Sequence, residues 1–334
     1  MSRHNRIGKL DAAKLAKLLA RYARCKDRSV VLGPGVGLDA AAIKVSAGTL
    51  VLASDPVTYA SDQLGYYTVC VNANDIYVSG ARPRWFLADV LLPPGGARLA
   101  ERIFRQMHRA CEGLGISLVG GHTEMTPDLP RPMVAGFMIG ELLGKKPLSA
   151  GGLRAGDRII LTKALAIEGT ALIARDKQKE LAGEFSQSFL RRAKRFLHRP
   201  GLSVGAEAVI ALRAGAHTMH DPTEGGLLNG LWEMAQASRL SLRIDADSIR
   251  VYPETRELCR RFGLDPLGLL ASGALLIGCS QRAQKKLCQE LDAADIMCSV
   301  IGSAKEGPPG VHFTDGRAVK RAVTDEILKV FREG

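Results

Sequence analysis

Val71-Asn-Ala-Asn74-Asp75-Ile-Tyr-Val-Ser-Gly80-Ala-Arg-Pro83 joins two elements of opposite period. Residues 67–78 predict a helix and residues 85–92 a strand. Asn74 and Asp75 stand inside the helix although both have poor helix propensity. A packed helix gains little from them, so a ligand role is expected at this pair. Outward on the C-terminal side, 98–113 is a second helix, with Leu99, Ile103, Phe104 and Met107 on one stripe and Gly113 placed to stop it. Strands are expected at 117–119 and 133–140. On the N-terminal side, strands at 29–32 and 49–54 flank the glycine-rich Gly33-Pro-Gly-Val-Gly37, and Leu15, Leu18, Leu19 and Tyr22 predict an amphipathic helix over 10–22. Helices and strands thus alternate around one core.

From Leu143 to Gly156 the composition shifts to Gly, Pro and Lys, as at an exposed boundary. We therefore expect an N-terminal domain over 1–148 and a C-terminal domain over 149–334. In the second, strands are expected at 157–162, 241–244, 273–278 and 298–302, and helices at 167–175, 203–214 and 225–237. The fold class is α/β (α+β) in two domains of similar size, and no short repeat argues for a solenoid.

The composition suits a globular chain: 334 residues, 46% hydrophobic, 24% charged, 36 Gly and 15 Pro exclude collagen, extended disorder and a disulfide scaffold. The longest apolar run, 269–278, has ten residues and contains Ser272 and Gly273, too short and too polar for a spanning helix. The start, Met-Ser-Arg-His-Asn-Arg, lacks a secretory apolar core. A soluble, cytoplasmic protein without a membrane partner is expected. The net charge is +12, from 46 basic and 34 acidic residues, which raises nucleic acid as a partner. Aromatics are only 5%, and the densest basic run, Phe189–Arg199, is spaced as an amphipathic helix. Small anionic ligands suit the charge better than nucleic acid does. The seven cysteines never fall in a Cys-x-x-Cys spacing, the pattern of reduced thiols used as small core residues. His217 and His220 lack a third ligand at zinc spacing.

Acidic or glycine-rich segments sit at element ends: Gly35-Val-Gly-Leu-Asp39, Ser54-Asp55-Pro56, Val119-Gly120-Gly121-His122-Thr123-Glu124, and His220-Asp221-Pro-Thr223-Glu-Gly225-Gly226. Glycines after a strand let backbone N–H groups approach an anion. The Asp-Pro-Thr segment serves equally as a helix cap and as a phosphate cradle. Neither a Gly-x-x-x-x-Gly-Lys-Ser/Thr loop nor a Gly-x-Gly-x-x-Gly fingerprint is present. A bound nucleotide would need another arrangement, and carboxylates sharing Mg²⁺ with phosphate oxygens would supply one.

The ordered set Gly-x-Gly-x-Asp-Ala-Ala, Ser-Asp after a strand, Asn-Asp-x-x-x-x-Gly-Ala-x-Pro, Gly-Gly-x-Thr and Asp-Pro-Thr-x-Gly-Gly-Leu resembles the ATP-binding superfamily of aminoimidazole ribonucleotide synthetase. It runs from about Leu10 to Ile301. His220–Leu227, Gly263-Leu-Asp-Pro-Leu267 and Ala271-Ser-Gly-Ala-Leu275 are most similar to the HypE-like, hydrogenase-maturation branch. The resemblance implies an N-terminal domain that pairs with its twofold mate into a β-barrel-like dimer core, a C-terminal α/β sandwich, and ATP with Mg²⁺ activating an amide or carbonyl oxygen by phosphoryl transfer. It implies metal carboxylates at Asp39, Asp55, Asp75 and Asp221, and nucleotide contacts at Asn74, Gly120, Gly121, Thr123, Thr223 and Gly225. Lys163 and, more loosely, Glu168 are implied near nucleotide or substrate, and Asp75, His122 and Glu124 in catalysis. The implied partners are a second copy of the chain, a small-molecule or protein-bound amide and a hydrogenase maturation protein.

The chain departs from the pattern at three places. Leu38 replaces the first of two adjacent acids, and His122 stands where HypE-like members often have Asp. No cysteine follows Cys298, so the expectation is either an amide on a separate small molecule or protein, or a HypE-like member with altered chemistry. A small-molecule synthetase or kinase of the aminoimidazole ribonucleotide synthetase, thiamine-monophosphate kinase or selenophosphate synthetase type is the alternative, and a non-catalytic nucleotide-binding partner is another.

Overall fold

In the computed structural model, residues 30–32, 35–38, 41–45, 48–60, 62–94 and 97–331 are described, together with positions 13 and 16. The helix expected over 10–22 and the carboxylate of Asp39 lie outside the described residues. Two compact units result: one holds residues 30–32 and 41–147, and the other holds residues 148–331 with residues 35–38.

The N-terminal unit is built from β1 (Val30–Leu32), β2 (Ala41–Val45), β3 (Gly48–Val57), α1 (Leu64–Val78), β4 (Ala81–Leu92), α2 (Ala97–Leu114), β5 (Ser117–Met125) and β6 (Met133–Leu142). Its sheet has the order β1-β2-β3-β6-β4-β5. Among the described strands of this unit only β4 and β5 pair in parallel, as expected of a strand–helix–strand crossover through α2. α2 is amphipathic, burying Ile103 and Met107 from the expected stripe and exposing Phe104. α1 is different. All but two of its residues are buried, because it packs against α2 and against β3, β4 and β6, which suits a helix apolar around most of its circumference.

Strand alternation gives this sheet a helix-covered face and an open face. Phe86, Ala88, Val90 and Leu92 of β4 are buried together with Val134, Gly136, Met138 and Gly140 of β6, and the intervening residues are half-buried or exposed. β5 does not end at Val119 as its apolar run predicts, but continues through the two glycines to Met125, in register with β4. Gly121 makes the continuation possible. Its φ is +135°, and a Cβ there would run into the Ala88 carbonyl, so only glycine lets β5 approach this closely.

The C-terminal unit contains β7 (Arg158–Thr162), α3 (Ile167–Asp176), α4 (Gln178–Leu181), α5 (Gln187–Arg195), α6 (Gly205–Ala214), β8 (Thr218–His220), α7 (Gly226–Ser238), β9 (Ser241–Ile244), α8 (Pro253–Phe262), β10 (Leu276–Cys279), α9 (Gln281–Ala293), β11 (Cys298–Lys305), β12 (Gly310–Phe313) and α10 (Ile327–Phe331). The sheet order is β12-β9-β11-β7-β10-β8. Ile159, Ile160 and Leu161 of β7 are all fully buried, which marks a strand covered on both faces. The basic run folds as the expected amphipathic helix only as far as Arg195: α5 buries Leu190 and Ala193, and Ser186 caps it by accepting the Phe189 N–H at 3.2 Å, worth about 1 kcal/mol, whereas Leu197–Gly201 form a separate turn in which Arg199 is extended.

Cys70, Cys111, Cys259 and Cys279 are buried, and burial pushes the Cys111 and Cys259 thiols up to about 12. They are the inert core thiols that the spacing predicts. Among the described residues no helix is long and apolar enough to cross a membrane.

Candidate functional site

α1 and β3 place the first carboxylates. Asp55 lies on the helix-covered face of β3, in register with Gly136 of β6, which is itself in register with Ala88 of β4. Its backbone is clamped by one side chain: the Asp55 N–H donates to Asn72 Oδ1 at 2.8 Å, and Asn72 Nδ2 donates to the Asp55 carbonyl at 3.1 Å. Asn72 Nδ2 also reaches the Thr68 carbonyl at 2.9 Å. A carboxamide can serve a donor and an acceptor at once, so Asn72 fixes β3 to α1 with complete use of its groups. Asp75 follows three residues later, one helical turn along α1, and is 5% exposed; Asn74 is fully buried. The structure therefore brings Asp55 to the same helix that carries Asn74 and Asp75.

The segment Gly120–Glu124 behaves otherwise. As a strand it sends alternate side chains to opposite faces. Gly121 and Thr123 line a cavity of about 270 Å³ with Phe104 and Met107 of α2. His122 and Glu124 point to the open face, where they line a cavity of about 250 Å³ with Pro56, Asp89 and Leu91. His122 Nε2 and Glu124 Oε2 are 3.3 Å apart, with side chains 64% and 50% exposed. This hydrogen bond holds the Glu124 carboxyl below the usual carboxylate range, with a second from Thr126 adding to it. By its sequence, 120–124 reads as a loop whose side chains converge. Strand pairing instead separates His122 and Glu124 from Asp55 and Asp75 by the thickness of the sheet.

In the C-terminal unit, His220 and Asp221 are both buried at the end of β8, and His220 Nε2 lies 3.0 Å from Glu233 Oε2 of α7. The Thr223 carbonyl accepts the N–H groups of Gly226 and Ala271 at 3.0 and 3.3 Å. The N-cap of α7 is Gly225, left-handed with φ +79° and without a side chain to cap the helix. Gly226 is also left-handed, and a Cβ there would meet the carbonyls of Leu267 and Leu269 at 2.6 and 2.7 Å. Packing and backbone conformation thus demand this glycine pair.

The cap comes from the far end of the chain. Asp325 is 2% exposed, and its carboxylate accepts the N–H groups of Gly225 at 2.6 Å, Leu270 at 3.2 Å and Ile327 at 2.8 Å. Burial pushes its carboxyl up to about 6, and the three N–H bonds pull the other way. Asn229 helps, accepting the Ala322 N–H at 2.9 Å and donating to the Glu224 carbonyl at 3.1 Å. Residues 322–327 therefore clasp the Thr223–Gly226 turn. Sequence reasoning misses Asp325 because its partners lie 100 and 55 residues away, and nothing local in Thr324-Asp-Glu326 announces them. Asn72 carried a signal: it is another polar, weakly helix-forming residue in the stretch that holds Asn74 and Asp75.

Lys163 is buried and left-handed, with φ +53°. Its ammonium meets Glu207 Oε1 at 2.8 Å and donates to the carbonyls of Ser203 at 2.8 Å and Gly201 at 3.3 Å. Two hydrogen bonds and an ion pair make it a fixture of its own unit. Glu168 is buried in the first turn of α3. Among the described residues, no three His, Cys, Asp or Glu side chains gather as a metal-binding group. Asp55 and Asp75 belong to one unit and Asp221 to the other.

Residues 37–142 match the AIR synthase related protein N-terminal domain, and residues 154–314 its C-terminal domain. The chain is similar to the carbamoyl dehydratase HypE of Bradyrhizobium diazoefficiens, at 30% identity over 88% of this chain and 87% of that protein. It is 29% identical to the carbamoyl dehydratase HypE of Rhodobacter capsulatus over 66% of this chain, and the match spans 63% of that protein, a little under two thirds of its length. A crystal structure of the hydrogenase maturation protein HypE in complex with ATP shares the fold, with a TM-score of 0.71, 21% identity, and coverage of 97% of this chain and 98% of that one.

Proposed function

The chain belongs to the AIR synthase related family, in its HypE-like branch, and on that premise we propose that it is an enzyme that uses ATP to activate an amide or carbonyl oxygen by phosphoryl transfer. The observation that carries this reading is the burial of Asn74 and Asp75 side by side on α1, with Asp55 pinned one turn away. A helix that only packed would favour apolar residues here, whereas a nucleotide–metal ligand would require the acids.

The donors suit Mg²⁺, which takes hard oxygen ligands and is held by one or two carboxylates plus phosphate oxygens rather than by an all-protein cage. Asp55 and Asp75 would hold it in the N-terminal unit; Asp39 and Asp221 are proposed as metal carboxylates on the family resemblance alone. Bound there, it would neutralise charge on the transferring phosphate. Asn74 would orient the nucleotide through its carboxamide. On the helix-covered side, Gly121 and Thr123 would present backbone and hydroxyl groups to phosphate, and so would Gly120 through its backbone. In the C-terminal unit, Thr223 and Gly225, held by Asp325, would make a phosphate cradle of that unit's own. His122 and Glu124, on the open face, are left outside this set, and Lys163 keeps a structural role.

The acceptor proposed is an amide or carbonyl compound, with a hydrogenase maturation protein as the partner. The open face also supports a homodimer: Leu87, Leu91, Met133 and Ile139 are half-buried and Phe137 is 38% exposed, and apolar sheet faces are stable only when covered.

Titration calorimetry with ATP and Mg²⁺ tests the reading. Binding in the micromolar to low millimolar range is expected, with Asp75→Asn weakening Mg²⁺-dependent binding at least about tenfold, or about 1.4 kcal/mol. Phosphate release on adding carboxamide or carbamoyl compounds would identify the acceptor class. Absence of ATP binding at millimolar concentration would refute the proposal.

A further inference from the structure

Two cysteines behave unlike the buried four. Cys288 on α9 and Cys298 at the start of β11 are half-buried and open on the same cleft of about 460 Å³, which Arg250, Lys285, Asp292 and Met297 also line. Facing one cleft, they lie close enough for Cys288 to raise the Cys298 thiol. Arg250 is held across the cleft, its Nε donating to Ser299 Oγ at 3.0 Å and its Nη1 to Met297 Sδ at 3.8 Å. Arg250 and Lys285 outnumber Asp292 in charge, so the rim favours an anion. Neither thiol belongs to the nucleotide site proposed above. A pair of adjacent, accessible thiols beside fixed cations is the arrangement that thiol–disulfide exchange requires.

We propose that Cys288 and Cys298 form a redox dithiol that is oxidised to an intramolecular disulfide by an anionic low-molecular-weight disulfide of the glutathione class. Cys288 opens the exchange. The Cys298 thiol is pushed up to about 12, first by burial and then by Cys288 beside it, with Arg250 lowering it in part, and it stays protonated in the first step. The Cys288 thiolate attacks one sulfur of the small disulfide; the Cys288–sulfur bond forms, the small disulfide's S–S bond breaks, and one small thiolate leaves. Cys298 then attacks the Cys288 sulfur, its proton passing to the second departing thiolate. Two protein thiols are oxidised and one small disulfide is reduced to two thiols. The cross-link closes a loop from residue 288 to 298 and joins α9 to β11.

Incubating the full chain with glutathione disulfide, followed by alkylation and a non-reducing peptide map, tests this. The expected product has lost two hydrogens and links the Cys288 peptide to the Cys298 peptide, while Cys70, Cys111, Cys259 and Cys279 stay reduced. Cys298→Ser should trap a mixed disulfide on Cys288, and Cys288→Ser should leave Cys298 unreacted, with circular dichroism confirming that both variants fold. Reaction with glutathione disulfide should be about tenfold faster than with the cationic disulfide cystamine, in keeping with electrostatic steering. Free Cys288 and Cys298 after oxidation, or a cross-link to another cysteine, would overturn the proposal. Equal rates with the two disulfides would overturn the anionic ligand class. Loss of ATP binding in other experiments leaves this site untouched, because it shares no residue with the nucleotide site.

Discussion

Replacing Asp325 by Asn should remove a pH dependence from the stability of the C-terminal unit. The Asp325 carboxyl accepts three backbone N–H bonds yet titrates near 6, because burial outweighs them and Glu224 adds repulsion. An unfolded aspartate titrates near 3.9, so the difference is about two pH units, or about 3 kcal/mol at about 1.4 kcal/mol per unit. The folded state binds this proton more tightly than the unfolded state. Its stabilising contribution is therefore complete below about pH 4 and is lost as pH rises through about 6. Asn at this position does not titrate. Urea denaturation of both proteins, followed by a probe of the C-terminal unit between about pH 4 and about pH 7.5, isolates the effect, because the other titrating groups cancel in the difference. The native protein should lose about 3 kcal/mol relative to Asp325→Asn across that range. A flat difference would refute the dominance of burial. A native protein that gains relative stability with rising pH would show that the N–H bonds win and that the carboxylate is held charged.

Gly121→Ala should destabilise the N-terminal unit by about 2–4 kcal/mol, since the new Cβ meets the Ala88 carbonyl at a left-handed φ; a thermal-shift measurement checks it. Lys163→Met should cost about 3–5 kcal/mol by leaving Glu207 buried without its cation. Adding Glu207→Leu should recover most of that loss in chemical denaturation, whereas no recovery would dissociate the effect from the pair. Phe137→Asp on the open face should convert a dimer to a monomer by light scattering, with the circular dichroism spectrum unchanged; a wild-type chain already monomeric at micromolar concentration would remove the dimer proposal.

Much of this molecule is written in local pattern. The stripe Leu99, Ile103, Phe104 and Met107 specifies α2, and the unbroken Ile159-Ile-Leu161 specifies a strand buried on both faces. Asn74 and Asp75 stand out through their residue types alone, as two poor helix formers within a helical stretch. Each of these rests on interactions within about a turn or a strand of the residue itself. The order of motifs likewise identifies the family, because short glycine- and acid-bearing segments carry their chemistry in their own residues.

What depended on distant partners could not be found that way. β5 runs past its two glycines only because β4 lies against it, and that pairing decides which of His122, Thr123 and Glu124 share a face. Asp325 becomes a cap, and Lys163 an ion-pair partner, through contacts 100 and 44 residues away in sequence. A side chain's identity sets what it can donate or accept; the tertiary fold decides what stands within 3 Å of it, and at that range burial and hydrogen bonding outweigh any local preference.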